Sequence, residues 1–471
     1  MTKEIKNYFG EFFTAFLKGD FWCKLSVIIF GAGYFKRKQW IKGLLITALE
    51  AACIYTVVYL WPFLSKISTL GTVQREEVFD PLTLTKTVND YDNSLLILLY
   101  SIVAIIVIVA LILLMISNMK AVYRLQVWRE NGKHVNTFRE SFKTLFNEKF
   151  HVTLLTLPSI GVLLMNIIPI IFMSCVAFTN YDKYHQPPTY LFTWVGIKNF
   201  ITMFTTSKTI SFGYVFVRIL AWTLVWAVIA TFTTFIGGIL LAMVINHEHT
   251  MGKKMWRTLF VITIAIPQFV TLLLVSKMFG DYGIINTVCQ NIGLTGWLKS
   301  IGLVGANLDY IPFLSAPGWA HVMIILINIW VGVPYQMLSA TGILLNLPVE
   351  QLESARIDGA SKWQIFIHIT MPYIMFICGP SLIQSVIANI NNFNVIYLLT
   401  STAFTTTNMA FANSSAKETD LLITWLFTLT NDYSNYKMAS VIGIITFVIC
   451  ALLTLLSYSR MIAGNREEVY R

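Results

Sequence analysis

Eight stretches of this 471-residue chain are long and apolar enough to cross a lipid bilayer: residues 43–64, 94–118, 154–178, 213–245, 258–280, 320–346, 373–398 and 438–459. Crossing hydrocarbon takes about 20 mostly apolar residues in a helix, because a helix satisfies its own backbone polar groups where no water can. This constrains the fold more than any other feature: an all-α, polytopic membrane protein. Composition agrees, with 56% hydrophobic and 12% charged residues, about half the charge of an ordinary soluble domain. A further apolar stretch, 25–33, is shorter than a span and runs into Phe35-Lys36-Arg37-Lys38. It reads as interfacial, and it lacks the small-residue site of a cleaved signal peptide.

Charge placement orients the spans. Lysine and arginine collect on the cytoplasmic side of membrane proteins. With the N-terminus inside, segments 1–42, 119–153, 246–257, 347–372 and 460–471 are cytoplasmic and hold 23 of the 34 basic residues. The net charge of +10 is therefore an orientation signal rather than a nucleic-acid patch, which would be one cluster. The expected organisation is an N-terminal segment 1–42, a transmembrane hairpin 43–118, a basic loop 119–153 and a core domain 154–465. Both termini are expected in the cytoplasm.

Several chemistries are missing. The six cysteines (Cys23, Cys53, Cys175, Cys289, Cys378 and Cys450) are scattered and form no CxxC pair, so they read as small packing residues, not as disulfides or metal ligands. Gly132-Lys133 and Gly252-Lys253 lack the spacing and hydroxyl residue of a nucleotide-binding P-loop. The chain cannot hydrolyse ATP by that route. In His247-Glu248-His249 the histidines are not one helical turn apart, which reads as a polar turn. Glu50 is the one carboxylate inside a span and is expected to pair with a cation such as Lys42 near the inner face. A proton-coupled carrier or ion channel would bury more ionisable groups.

Residues 347–372, LPVEQLESARIDGASKWQIFIHITMP, predict two short helices at an angle. Pro348 suits a first turn, Glu350 and Glu353 favour a positive helix N-terminus, and Asp358-Gly359 interrupts the chain. Ser361 and Gln364 have capping-box spacing for the second helix, which Pro372 is expected to end at the membrane. A helix–turn–helix protruding from a membrane domain is a docking element. Glu353-Ser354-Ala355, Asp358-Gly359-Ala360, Gln364, Phe366, Ile369 and Met371-Pro372 resemble the EAA loop of binding-protein-dependent ABC import permeases. Ser354 and Met371 replace the family's usual alanine and leucine. The resemblance implies that this loop seats in a cleft of a cytoplasmic ATPase subunit.

The resemblance extends over about residues 150–465. Pro169, Ala177-Phe178-Thr179-Asn180-Tyr181-Asp182, Trp194-Val195-Gly196 and Asn199-Phe200 are similar to the opening span and outer loop of maltose- and maltodextrin-type permeases. Ala265-Ile266-Pro267-Gln268-Phe269 and Asn328 through Tyr335 are similar to their middle spans. The extra N-terminal hairpin resembles that of the larger of the paired subunits. What this implies is the type I permease fold of ABC importers and a heterodimer with a second permease subunit. It also implies two copies of an ATPase subunit that use ATP and magnesium, and an extracellular sugar-binding lipoprotein. No cofactor is expected on this chain, nor enzymatic activity. Some relatives carry a folded insertion after the third span. Here that outer loop is only about residues 179–211, so binding-protein contacts must use shorter loops.

Two polar stripes suggest where cargo sits. Asn328, Gly332 and Tyr335 fall at i, i+4 and i+7 of one span, and Ser385, Asn389 and Asn392 repeat the spacing in the next. Polar residues at membrane depth need a partner or a watery cavity. These would suit a neutral, hydroxyl-rich ligand, though Asn and Ser also hold helices together. Their positions match the sugar-lining positions of maltose-type permeases. Ala388 stands where relatives can carry an aromatic; Trp330, Phe393 and Tyr397 are nearby aromatics. The expected cargo is a maltodextrin-type oligosaccharide. The alternatives are a galacto-oligosaccharide or, from other classes, a membrane-embedded enzyme or a secondary carrier. An anionic cargo is disfavoured because these two spans contain no lysine or arginine.

Overall fold

The computed structural model describes residues 2–80, 85–205, 212–247 and 249–468; Glu248 and part of the 179–211 loop lie outside them. The chain divides into two compact units, Met1–Gly196 and Ile197–Arg471.

The first unit opens with three helices, α1 (Thr2–Lys18), α2 (Phe21–Leu25) and α3 (Ala32–Lys36). The first spans are α4 (Trp40–Ser65) and α5 (Ser94–Glu130), and their connection carries an antiparallel β-hairpin, β1 (Glu77–Asp80) with β2 (Thr85–Val88). After α6 (Phe138–Phe146) comes a third span, α7 (Phe150–Val176). A π-turn at Leu163–Ile167 lies within α7 just before Pro169. A proline cannot donate to residue i−4 and its ring crowds that carbonyl; widening the preceding turn lets the helix continue.

The apolar 25–33 stretch has two sides: Ile28 and Ile29 are exposed, as an interfacial segment requires, while the other side is buried. Ser26 and Phe30 are buried against α5, where the Asn118 amide donates to the carbonyl oxygens of Phe30 (3.0 Å) and Ser26 (3.4 Å). Glu50 is buried too, but Lys42 is not its partner. Its carboxylate accepts the backbone N–H of Phe30 at 2.8 Å, and the Lys42 ammonium lies 4.7 Å from the centre of the Tyr34 ring. A non-local backbone donor takes the place expected for a cation.

The second unit holds α8 (Phe212–Asn246), α9 (Lys253–Ala265), α10 (Gln268–Met278) and α11 (Pro317–Leu344). It continues with α12 (Val349–Ile357), α13 (Lys362–Ile365), α14 (Met371–Ile390), α15 (Phe393–Thr400), α16 (Leu422–Asn431) and α17 (Tyr436–Glu468). Seven helices among the described residues have the length and apolar character of a span, and α9 with α10 makes an eighth only as a pair bent by 89°. The expected continuous helix over 258–280 is therefore broken. Ile266 and Pro267 are both extended (ψ 125° and 126°), and proline disfavours helical backbone in the residue before it. Pro372 has the opposite outcome: a π-turn at Phe366–Thr370 precedes it, and it sits in the first turn of α14 rather than ending a helix.

Close packing of α8 on α11 organises this unit. A Cβ on Gly332 would come within 2.7 Å of Thr234 Cγ2, and one on Gly237 within 2.8 Å of Val333 Cγ2. Small residues at such crossings let backbones approach where lipid offers no hydrophobic drive to association.

Candidate functional site

The 347–372 segment forms the expected helix–turn–helix. Pro348 precedes α12, with Glu350 in its first turn and Arg356 in its last, each placed favourably for the helix dipole. Asp358 closes the helix and Gly359 turns the chain at φ +80°, a left-handed conformation that glycine adopts without a Cβ penalty. Ser361 then caps α13: Gln364 N–H donates to Ser361 Oγ at 3.3 Å, and Ser361 N–H to Gln364 Oε1 at 2.8 Å. Glu353, Ser354, Asp358, Gly359, Ser361 and Gln364 are exposed, Ala355 and Ala360 half-buried, and Pro372 exposed. A shallow cleft of about 440 Å³, lined by Glu350, Gln351, Ser354, Ala355, Asp358 and Ile369, runs beside α12. The element is thus an exposed helix and a second, capped helix joined through the Gly359 turn.

The polar stripes have divided surroundings. Asn389 on α14 donates to Thr231 Oγ1 of α8 at 3.0 Å, and its carbonyl accepts the Trp226 indole N–H at 3.1 Å. Asn392 is not on the same helix face as Ser385 and Asn389, because α14 stops at Ile390. It caps α15 instead, accepting Val395 N–H at 3.3 Å and donating to Asn389 Oδ1 at 3.2 Å. Gly332 lies against Thr234. Ser385 is half-buried and donates to the Ser381 carbonyl at 2.8 Å. Asn328 is 7% exposed, and its side chain makes no hydrogen bond among the described residues. Phe393 and Tyr397 stack at 4.7 Å and both pack on Phe427.

Tyr335 alone of the six opens onto a cavity of about 360 Å³, between the α9–α10 break and α11. Trp330, Phe260, Thr263, Gln268 and Thr271 share the lining, which carries no formal charge. Thr271 was not singled out from sequence, and Gln268 was named only within the Ala265–Phe269 resemblance and not as a site residue; the signal available was Pro267, whose break brings them to the cavity wall.

Near the N-terminal end of α11, where His321 lies 3.1 Å from the Glu418 carbonyl, the buried Asp420 accepts Lys417 N–H at 2.7 Å and Thr424 Oγ1–H at 2.9 Å. Burial nevertheless pushes its carboxyl up to about 6.

Residues 234–462 match the family model of the binding-protein-dependent transport system inner membrane component. The chain is 32% identical to the maltodextrin transport system permease protein MdxF of Bacillus subtilis, over 94% of this chain and 96% of that one. It is 31% identical to the galactooligosaccharides transport system permease protein GanP of the same organism, over 94% and 98%. It is also 31% identical to the maltodextrin transport system permease protein MalC of Streptococcus pneumoniae, over 94% and 97%. With near-complete coverage on both sides, spans of the required number and a capped helix–turn–helix in the matched region, the chain belongs to the binding-protein-dependent ABC transporter permeases of the maltose/maltodextrin type, a non-enzymatic, multi-pass membrane subunit.

Proposed function

We propose that this chain is the larger permease subunit of a maltodextrin importer, pairing with a second permease subunit above two copies of an ATPase that consume ATP and magnesium. A sugar-binding lipoprotein delivers cargo from outside, and both termini lie in the cytoplasm. The observation that carries this reading is the exposed α12–Gly359–α13 element, which suits docking to a soluble partner. Two of the three relatives compared above are named for maltodextrin. The similarity to GanP supports a galacto-oligosaccharide as the second reading.

The sugar path in this proposal runs along α11 and α14. Asn328 has an unused amide, Tyr335 and Trp330 offer aromatic faces beside an uncharged cavity, and Ser385 keeps acceptor capacity. Asn389, Asn392 and Gly332 take part in helix contacts here and become available to cargo when those helices separate. ATP-driven closure below moves the 347–372 loop, and a neutral sugar is exposed alternately to each side, chemically unchanged. Affinity purification of the chain from its native membrane tests the assembly. An ATPase and a second permease should co-purify; recovery of the chain alone in a transport-competent state contradicts it.

A further inference from the structure

Between α2 and α3 the chain runs as turns over residues 26–31, yet these turns are bonded to the first two spans. Glu50 of α4 accepts the Phe30 N–H at 2.8 Å. The Asn118 amide of α5 donates to the carbonyl oxygens of Phe30 and Ser26 at 3.0 and 3.4 Å. Helix length gives the depth of these contacts. The 26 residues of α4 make about 39 Å of helix, against about 30 Å of hydrocarbon. With all of that excess placed at its first end, Glu50 still lies about 6 Å inside the hydrocarbon. The Phe30 turn therefore reaches membrane depth. Non-helical backbone survives there only where protein satisfies its polar groups, and the buried Glu50 and Asn118 do so. In water these groups would need no partner from a span.

The outward side of the same segment supplies a second, independent observation. Ile28 is 73% exposed and Ile29 is exposed beside it. On α1, the exposed Phe13, Phe16 and Leu17 fall at i, i+3 and i+4, which is one helix face. The other face of α1 is fixed to α5. Ala15 is buried in one cluster with Cys23, Met119 and Val122, and Glu11 pairs with Lys120 at 2.8 Å. Beyond α1, the Asp20 N–H donates to Gln126 Oε1 at 2.9 Å. These contacts hold α1 at the first turns of α5 past its apolar run, with phenylalanine and leucine outward, as in a helix of the membrane interface. Charge agrees: residues 1–42 hold eight basic and three acidic residues. Of those acids, Glu11 and Asp20 are paired with Lys120 and Arg37, while Lys18, Lys24 and Lys36 are exposed. Such an excess suits anionic lipid headgroups.

We propose that residues 13–31 are a membrane-inserted wedge in the leaflet at which α4 begins. The turn at Ile28 and Ile29 lies among lipid acyl chains, α1 lies at the headgroup level, and Glu50 and Asn118 hold the turn in place. The occupant of the exposed apolar surface is lipid, because the turn reaches hydrocarbon depth and the lysines around it match an anionic headgroup layer. The proposal rests on the membrane-spanning reading and is independent of the cargo.

The test uses the full-length chain in nanodiscs of phosphatidylcholine and phosphatidylglycerol, spin-labelled at one position at a time through a ketone-bearing amino acid, which leaves the native cysteines in place. Accessibility to oxygen, which enters hydrocarbon, is compared with accessibility to a polar nickel chelate, which stays in water. Labels at Phe16 and Ile28 should favour oxygen, as should a reference label at Ile105, exposed on the mid-span surface of α5. A label at Lys133, exposed in the turn after α5, should favour the chelate. Asn118→Leu and Glu50→Leu should each raise chelate accessibility at Ile28, whereas Glu50→Gln, which keeps an acceptor for Phe30, should not. Chelate-favouring labels at Phe16 and Ile28, with Ile105 still favouring oxygen, overturn the proposal. So does an Ile28 label shielded from both reagents, which would put protein there, or one unchanged by both leucine variants. If the leucine variants do not fold, the labels at Phe16 and Ile28 in the otherwise native chain decide. A chelate-favouring label at Ile105 instead overturns the membrane-spanning reading itself.

Discussion

Asn389 Nδ2 lies 3.0 Å from Thr231 Oγ1, a hydrogen bond between α14 and α8 across 158 residues of sequence, with the Trp226 indole N–H on the Asn389 carbonyl. A residue expected to face cargo is thus engaged between two helices. Such bonds are worth about 0.6 kcal/mol in membranes, rarely above about 1.7. Asn389→Ala and Thr231→Val are each expected to lower the thermal midpoint of the detergent-solubilised protein. The double variant should lose less than the sum of the two. Strict additivity would mean that the bond does not form.

Gly359 is the pivot of the docking element. A Cβ there meets nothing within 4 Å, but the φ of +80° disfavours any L side chain, at about 1–2 kcal/mol. Gly359→Leu should therefore insert normally, with unchanged helicity, and transport no sugar because the turn can no longer seat. Normal uptake by this variant removes the docking assignment.

Ser361 and Gln364 stiffen the second half of that element. Ser361→Ala removes one side of the capping box and should cost about 1 kcal/mol of local helix stability. Hydrogen exchange should speed up at the amides of 362–365, with a smaller loss of transport than Gly359→Leu. Equal exchange in both proteins contradicts the cap.

Asp420 makes stability depend on pH. Burial raises its folded pKa to about 6 from the ordinary 3.8, against the opposing hydrogen bonds of Lys417 N–H and Thr424. The folded state then holds the proton more tightly than the unfolded state. Its stabilising contribution is fully present below about pH 4, declines as pH rises through about 6, and is flat beyond. The upper bound of the change is about 3 kcal/mol for two units. Unfolding scans between pH 4 and 7 should show this slope, and Asp420→Asn should remove it. A slope unchanged in Asp420→Asn places the titration elsewhere.

The sequence was most legible where structure is local. All the span-length apolar runs but 258–280 became span-length helices, and Ser361 with Gln364 became a capping box, because cap chemistry needs only four consecutive residues. Proline was legible as a perturbation but not in its outcome. Pro169 and Pro372 are accommodated by π-turns, while Pro267 separates α9 from α10 by 89°; the choice depends on what packs around each. Long-range partners were not legible. The Phe30 N–H that Glu50 accepts and the Thr231 Oγ1 to which Asn389 donates come from other elements, and helical spacing cannot say whether a polar stripe meets a ligand or another helix. Asn392 left its stripe because α14 ended two residues earlier.

The most direct measurement is ATP-driven uptake into proteoliposomes holding the complete complex with its binding protein, across a panel of neutral oligosaccharides. Maltodextrins should be accumulated and should stimulate ATP hydrolysis, with both activities lost when the ATPase or the binding protein is left out. Uptake of galacto-oligosaccharides alone would contradict the cargo assignment. Accumulation without the ATPase would contradict the importer itself.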